Sequence, residues 1–334
     1  MPPHTLSSEI STPNMKIIIQ IPCYNEEASL PDTYQYLPKS ILGFEVVEYL
    51  IIDDGSTDRT CEVARSLGIH HIVQLAQHQG LAKGFMAGID RCLELGADVI
   101  VNTDADNQYN ADDIPALVAP ILQGNAEIVI GTRPTQTIEH FSPIKKFLQK
   151  LGSRVVRATS RTDVQDAPSG FRAISRTAAM QLNVFSEYTY TLETIIQCGQ
   201  NGIKIASVPI RVNGETRPSR LVKNIWSYVY RSIITIFRIF IIYRPMQFFA
   251  SAAFGLLLIG FLLGLRYLYF IFTGDGSGHI QSVILSAFLM GSGFLLAMIA
   301  IIVDLIAVNR RLLEKLNYRM LRVESKLQPN ESIH

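Results

Sequence analysis

The chain has 334 residues, 48% of them hydrophobic, and 30 Lys+Arg against 29 Asp+Glu leave a formal net charge of +1. That balance excludes a nucleic-acid binder built on bulk positive charge and an acidic disordered chain alike. Charged residues reach only 18%, below the usual quarter, and the deficit is local: residues 245–309 carry only Arg266, Asp275 and Asp304, so a soluble-type domain of roughly 200 residues followed by membrane segments is expected.

Residues 1–14 have neither a basic n-region nor an apolar core and read as a disordered tail. Beyond them, short β-branched runs at Lys16–Pro22, Val47–Asp53, Asp98–Asp104 and Glu127–Gly131 alternate with helical patterns at Glu27–Leu37, Arg59–Leu67, Gly80–Leu95 and Ala111–Leu122. This alternation predicts an α/β fold, a Rossmann-like, mainly parallel sheet with helices on both faces. In such sheets ligands bind beyond the carboxyl ends of the strands. Cys23, Cys61, Cys92 and Cys198 lie far apart without a CxxC, which argues against a disulfide framework or zinc site and for a reduced, cytosolic setting. His70, His71 and His78 are expected on loop and helix surfaces, and GLAKG at Gly80–Gly84 as a helix start lacking the Walker pattern.

The polar motifs stand at the predicted strand ends. Pro22-Cys23-Tyr24-Asn25-Glu26-Glu27 follows the first, Asp53-Asp54-Gly55-Ser56-Thr57-Asp58 the second, and Asp104-Ala105-Asp106-Asn107-Gln108 the run ending at Asp104. Three acidic clusters at one end of a sheet would repel one another unless a cation sits among them. If the backbone stays extended, the Asp104 and Asp106 carboxylates share a face, and oxygen-only ligands favour Mg2+ or Mn2+.

Farther along, Leu221–Tyr243 mixes aliphatic and aromatic residues with Lys223, Arg231 and Arg238 and contains no acid, the pattern of an amphipathic helix lying on an anionic leaflet. Pro245–Leu265 and Ile280–Val303 are uncharged and exceed the ~20 residues that span a bilayer. The connection Thr273–His279 holds no Lys or Arg, whereas Arg231, Arg238 and Arg244 precede the hairpin and Arg310, Arg311 and Lys315 follow it. The positive-inside rule then places the soluble domain and both termini in the cytoplasm of a two-span membrane protein. Leu313, Leu316, Met320, Val323 and Leu327 form a seam too short for a firm coiled-coil assignment. The expected segments are a tail at 1–14, a catalytic domain at 15–220, an amphipathic helix at 221–244, a transmembrane hairpin at 245–308 and a basic tail at 309–334.

The strings IPCYNEE, IIDDGSTDRT, GLAKGFMAG, NTDADNQY, IVIGTR and APSGFRAISR, in this order and spacing, resemble family 2 glycosyltransferases of the GT-A fold. The resemblance runs over about residues 15–220 and is nearest to polyprenyl-phosphate sugar synthases of the dolichyl-phosphate mannose synthase type. It implies that Pro22, Tyr24 and Glu26 border the donor's base and ribose, that Asp53 holds the base, and that Asp104 and Ala105 lie at the donor. It further implies a metal, Mg2+ or Mn2+, on Asp104, Asp106 and Gln108, and Arg133 facing a phosphate. Asp166–Arg172 would build the acceptor side, with Asp166 as the candidate base, so Asp106, Asp166 and Arg133 are the expected catalytic residues. Arg172, Arg217 and Arg220 are the expected acceptor-phosphate contacts; the Asn213–Leu221 loop departs from the family's GxSK-like pattern in its displaced glycine.

The expected activity is transfer of one sugar, with inversion, from a UDP- or GDP-sugar to a polyprenyl phosphate. The expected partners are the nucleotide-sugar, the lipid phosphate and the bilayer, with no nucleic acid and a homo-oligomer left open. The alternative is a hydroxyl acceptor on a lipid or polysaccharide; the QxxRW motif of processive synthases is absent. A non-enzymatic scaffold is disfavoured by the intact Asp104, Asp106 and Gln108.

Overall fold

The computed structural model describes residues 15–134, 164–184, 190–213, 244–274 and 279–327, with isolated positions between 234 and 241. The chain divides into two units, Met1–Tyr228 and Val229–His334. The expected tail at 1–14, most of the amphipathic segment 221–244 and Arg217, Arg220, Lys223 and Arg231 lie outside the described residues.

In the first unit the runs of Ile and Val form strands because branched side chains pack well on a pleated surface. β1 (Lys16–Cys23), β2 (Val46–Asp53), β3 (His71–Gln74), β4 (Val99–Asn102), β5 (Ile128–Thr132), β6 (Arg172–Ser175) and β7 (Ile205–Pro209) make one sheet in the order β3-β2-β1-β4-β6-β5-β7. Six strands run one way; β6 alone opposes its neighbours β4 and β5. The sheet is therefore mixed but mostly parallel, and β3, β6 and β7 are strands that the sequence pattern did not single out.

Both faces are covered, which is why the central strands are mostly apolar. On one face Ile17, Ile19, Ile21 and Ile51 join Leu30 of α1 (Leu30–Tyr36), Ala64 of α2 (Thr60–Ser66) and Leu117 and Val118 of α4 (Ile114–Leu122) in one core. On the other face lies α3 (Leu81–Glu94), which buries Ala82, Phe85, Ile89, Cys92 and Leu93 at helical spacing. Each large apolar side chain so buried contributes about 1.5–3 kcal/mol. Two further helices, α5 (Arg176–Ala179) and α6 (Thr191–Asn201), flank β6 and β7 in the chain.

Parallel strands bring the loops after β1, β2, β3, β4, β5 and β7 to one end of the sheet. Reversed β6 adds the loop that precedes it, residues 164–171. The order reverses between β1 and β4, the position where open α/β sheets form a binding crevice.

The second unit contains α7 (Pro245–Phe272) and α8 (Ile280–Leu327), both long and apolar enough to cross a membrane. At 1.5 Å per residue they measure about 42 and 72 Å, against a hydrocarbon core of about 30 Å. Ser286 Oγ donates to the Gly260 carbonyl at 2.6 Å across the pair, the kind of polar bond that joins helices in lipid. α8 continues unbroken through residue 309, so the basic tail begins within a helix, where Leu313, Leu316, Met320 and Val323 are exposed.

Candidate functional site

The loops after β1 and β2 are interlocked. Asn25 N–H donates to Ser56 Oγ at 2.9 Å, and Thr57 N–H donates back to Asn25 Oδ1 at 2.8 Å. Glu26 N–H reaches Thr60 Oγ1 at 2.9 Å and Glu27 N–H reaches Asp58 Oδ2 at 3.1 Å. Arg59 pairs with Glu27 at 3.3 Å. Asp54 accepts from the amides of Gln79 and Gly80 at 2.7 and 2.9 Å and meets His78 Nδ1 at 2.8 Å. Burial works against the charge on Asp58, but the Thr60 hydroxyl and neighbouring amides outweigh it and hold its carboxyl below the ordinary aspartate value. Asp54, Asp58 and Glu27 thus serve as caps and ties between these loops. Gly55 is obligatory: it sits at φ 70, and a Cβ there would lie 2.6 Å from the backbone of Gln77.

Asp53 is 1% exposed. Its Oδ1 accepts from Ser56 N–H at 3.1 Å, and its Oδ2 accepts from the thiol of Cys61 at 3.1 Å. Burial and this bond push the Cys61 thiol up to about 12. Tyr24 is exposed, and its ring stacks on His78 with centroids 4.1 Å apart. Pro22 is half-buried at the end of β1, and Glu26 is buried, bonded to Ser29 Oγ.

After β4 the backbone turns instead of staying extended, with Asn107 at φ 55. The geometry assumed for a shared face of Asp104 and Asp106 is therefore absent. The two carboxyls interact all the same: burial, then Asp106, push Asp104 up to about 7, with Arg133 pulling the other way. Asp106 Oδ1 accepts from Gln108 N–H at 3.2 Å, and the Ala105 carbonyl accepts from Thr33 Oγ1 at 2.7 Å.

Arg133, just beyond β5, grips Asp166 through Nε at 2.7 Å, Nη2 at 3.0 Å and its own amide at 3.2 Å. Burial opposes the charge on Arg133, yet the bonds to Asp166 raise its pKa further. Both oxygens of Asp166, 1% exposed, are thereby engaged. Arg172, also 1% exposed, donates through Nε to Ser169 O at 2.8 Å, through Nη2 to Ala167 O at 2.8 Å and through Nη1 to Thr194 Oγ1 at 2.6 Å. Its nitrogens shape the 167–169 loop, and the side chain expected to contact an acceptor phosphate is buried. Gly170 closes the loop onto the site, since a Cβ there would stand 3.2 Å from Asp104 Oδ1 and 3.0 Å from Tyr190 Oη.

Beneath this runs a buried polar chain. Gln20 Nε2 donates to Asn102 Oδ1 at 2.9 Å, and Asn102 Nδ2 donates to Gly170 O at 2.9 Å and Tyr190 Oη at 3.0 Å. Tyr190 is stacked against Phe85 at 3.9 Å. The structure thus gathers Asp104, Asp106, Gln108, Arg133, Asp166 and the loops of Pro22, Tyr24, Glu26 and Asp53 at one end of the sheet. Sequence reasoning missed Gln20, Asn102, Tyr190, Cys61 and the proximity of His78. An amide inside each of two β-branched runs was the available signal for the first two.

Among the described residues no three His, Cys, Asp or Glu side chains converge closely enough to hold a metal alone. Asp104, Asp106 and the Gln108 amide nevertheless share one short loop, and Asp106 raises the cost of ionising Asp104. That donor set suits a hard cation whose remaining ligands come from phosphate oxygens or water.

The glycosyl transferase family 2 model matches residues 18–182. The chain is 29% identical over 219 residues to the UDP-N-acetylglucosamine–dolichyl-phosphate N-acetylglucosaminyltransferase of Methanococcus voltae, covering 58% of this chain and 84% of that one. It is 28% identical over 216 residues to the dolichol-phosphate mannosyltransferase of Pyrococcus furiosus, covering 61% of this chain and 59% of that one. In fold it is similar to glucosyl-3-phosphoglycerate synthase from Mycobacterium tuberculosis, solved with Mn2+, uridine diphosphate and phosphoglyceric acid. The TM-score is 0.51 at 20% identity, covering 66% of this chain and 78% of that one.

Proposed function

Given a family 2 glycosyltransferase domain across residues 18–182, we propose that this chain is a membrane-bound inverting hexosyltransferase. It moves one sugar from a UDP- or GDP-sugar to a polyprenyl phosphate, with Mg2+ or Mn2+ held by Asp104, Asp106 and Gln108. The supporting observation is the meeting of the 104–108 loop with the Arg133–Asp166 pair at the crevice end of the sheet. Relatives named for transfer to dolichyl phosphate point the same way, as does a fold neighbour solved with Mn2+ and uridine diphosphate.

When bound, the metal would neutralise charge growing on the leaving nucleoside diphosphate. The chain's own groups do the positioning. The exposed Tyr24, stacked on His78, and Asp53, oriented by Ser56 and Cys61, are the proposed neighbours of the base. Arg133, locked by Asp166, is a fixed positive charge toward a donor or acceptor phosphate. A phosphate acceptor is already anionic near neutral pH, so the engagement of both Asp166 oxygens by Arg133 does not block the reaction. Asp166 then acts by holding Arg133.

Arg217 and Arg220 remain the proposed acceptor-phosphate contacts, in a catalytic domain proposed to span residues 15–220. α7 and α8 would anchor it, with the catalytic domain and both termini on the cytoplasmic side, the orientation that the basic residues flanking the hairpin favour. A radiolabelled transfer assay in detergent, with a panel of UDP- and GDP-sugars, tests this. Transfer from one donor to polyprenyl phosphate and none to neutral polyprenol is expected; equal use of the neutral alcohol would refute the lipid-phosphate assignment.

A further inference from the structure

Past β7 the chain does not leave the sheet at once. Ile210 N–H donates to Thr132 O at 3.0 Å, Val212 forms an antiparallel bridge with Tyr109, and Asn110 N–H donates to Arg211 O at 3.4 Å. Arg211 is fixed to Asp113 through its amide at 2.6 Å, Nε at 2.9 Å and Nη2 at 2.7 Å. At the end of this strap, Asn213 N–H donates to Gln108 O at 2.9 Å. The Asn213 side-chain amide donates to Asn107 O at 2.9 Å and also faces Asn107 Oδ1 at 3.4 Å and Tyr109 O at 3.5 Å. One residue therefore ties three successive positions of the 107–109 turn.

That turn contains Asn107 at φ 55, a left-handed conformation uncommon outside glycine, which asparagine adopts more readily than other residues. Asp106 and Gln108 flank it on either side. Were the Asn213 bonds lost, Asn107 would be free to relax toward negative φ. The peptide planes on both sides would then rotate, and the side chains of Asp106 and Gln108 would move with them. We propose that Asn213 is a positioning residue for metal binding, holding the 106–108 turn in its ligating shape. This rests on the reading that Asp106 and Gln108 hold the cation.

Partners that orient metal ligands typically contribute 10- to 100-fold to affinity, so about a tenfold loss is expected on removing this one. The test is titration of the full chain in detergent with Mn2+, in the presence of UDP and separately of GDP, followed by electron paramagnetic resonance. Asn213→Ala and the near-isosteric Asn213→Leu are compared with Arg211→Ala, which removes two side-chain bonds to Asp113 Oδ1 on the same strap without touching the turn. Thermal midpoints in chelator show that each variant is folded at the titration temperature. Both Asn213 variants should bind Mn2+ about tenfold more weakly, with an altered Mn2+ line shape, while Arg211→Ala binds as the unsubstituted chain does. Unchanged affinity in both Asn213 variants, or an equal loss in Arg211→Ala, would overturn the inference alone, the strap then serving stability only. Failure of the unsubstituted chain to bind Mn2+ with either nucleotide would overturn the metal assignment and this inference with it.

Discussion

Replacing Asp104 by Asn, in the presence of chelator, should stabilise the protein at pH values above neutrality. Burial and Asp106 push the Asp104 carboxyl up to about 7 in the folded chain, whereas an aspartate in an unfolded chain titrates near ~3.9. The folded state thus holds this proton more tightly than the unfolded state does. The contribution of the group is fully present below about pH 4 and is lost as pH rises through about 7. At about 1.36 kcal/mol per unit, a displacement of roughly three units amounts to about 4 kcal/mol at pH 8, of which about 2 kcal/mol develops between pH 5.5 and 7. An amide at the same position has no charge to desolvate. Guanidinium unfolding of the full chain and of Asp104→Asn, in EDTA at about pH 5.5 and about pH 8, reads the difference directly. The advantage of the variant should widen by about 2 kcal/mol between the two conditions, while sugar transfer is lost at both. An advantage that stays constant, or shrinks as pH rises, would show that Asp104 is not held protonated by its surroundings.

Arg133→Ala strands the buried Asp166 carboxylate and should cost about 3–5 kcal/mol, whereas Asp166→Asn keeps an acceptor for Arg133 and should cost about 1.5–3 kcal/mol; the same unfolding titration ranks them. Transfer should stop in excess EDTA and return on adding Mg2+ or Mn2+, and full activity in chelator would remove the metal from the mechanism. Arg217→Ala/Arg220→Ala should raise the KM for polyprenyl phosphate by about tenfold or more, since bonds to charged groups are worth about 1.5–3 kcal/mol, with membrane association measured by flotation unchanged. A thiol probe applied from outside should label Ser277→Cys and miss a cysteine at Asn330, and the reverse pattern would invert the proposed topology.

By itself the sequence determined the elements whose signal is local. The β-branched runs of β1, β2, β4 and β5 announce strands because χ1 stiffness and a preference for the pleated backbone are properties of the residues themselves. The Phe85–Ile89–Cys92 spacing announces α3 for the same kind of reason. The long apolar helices follow from length and composition alone, and the positions of Asp104, Asp106, Gln108 and Arg133 follow from their place after those strands. Tertiary structure decided what depends on partners distant in the chain. β6 and β7 are short and contribute to a sheet whose neighbours lie tens of residues away, so no local period marks them. The roles of the acids were equally out of reach: Asp54 caps amides 25 and 26 residues ahead of it, and Asp166 meets an arginine 33 residues back. Arg172 reads as a phosphate ligand by its motif, yet it is buried against carbonyls and Thr194. A carboxylate or a guanidinium is defined by its charge in the sequence. Whether that charge is left for a ligand or satisfied within the protein depends on which hydrogen-bonding groups the fold delivers beside it, because a buried charge must be paired.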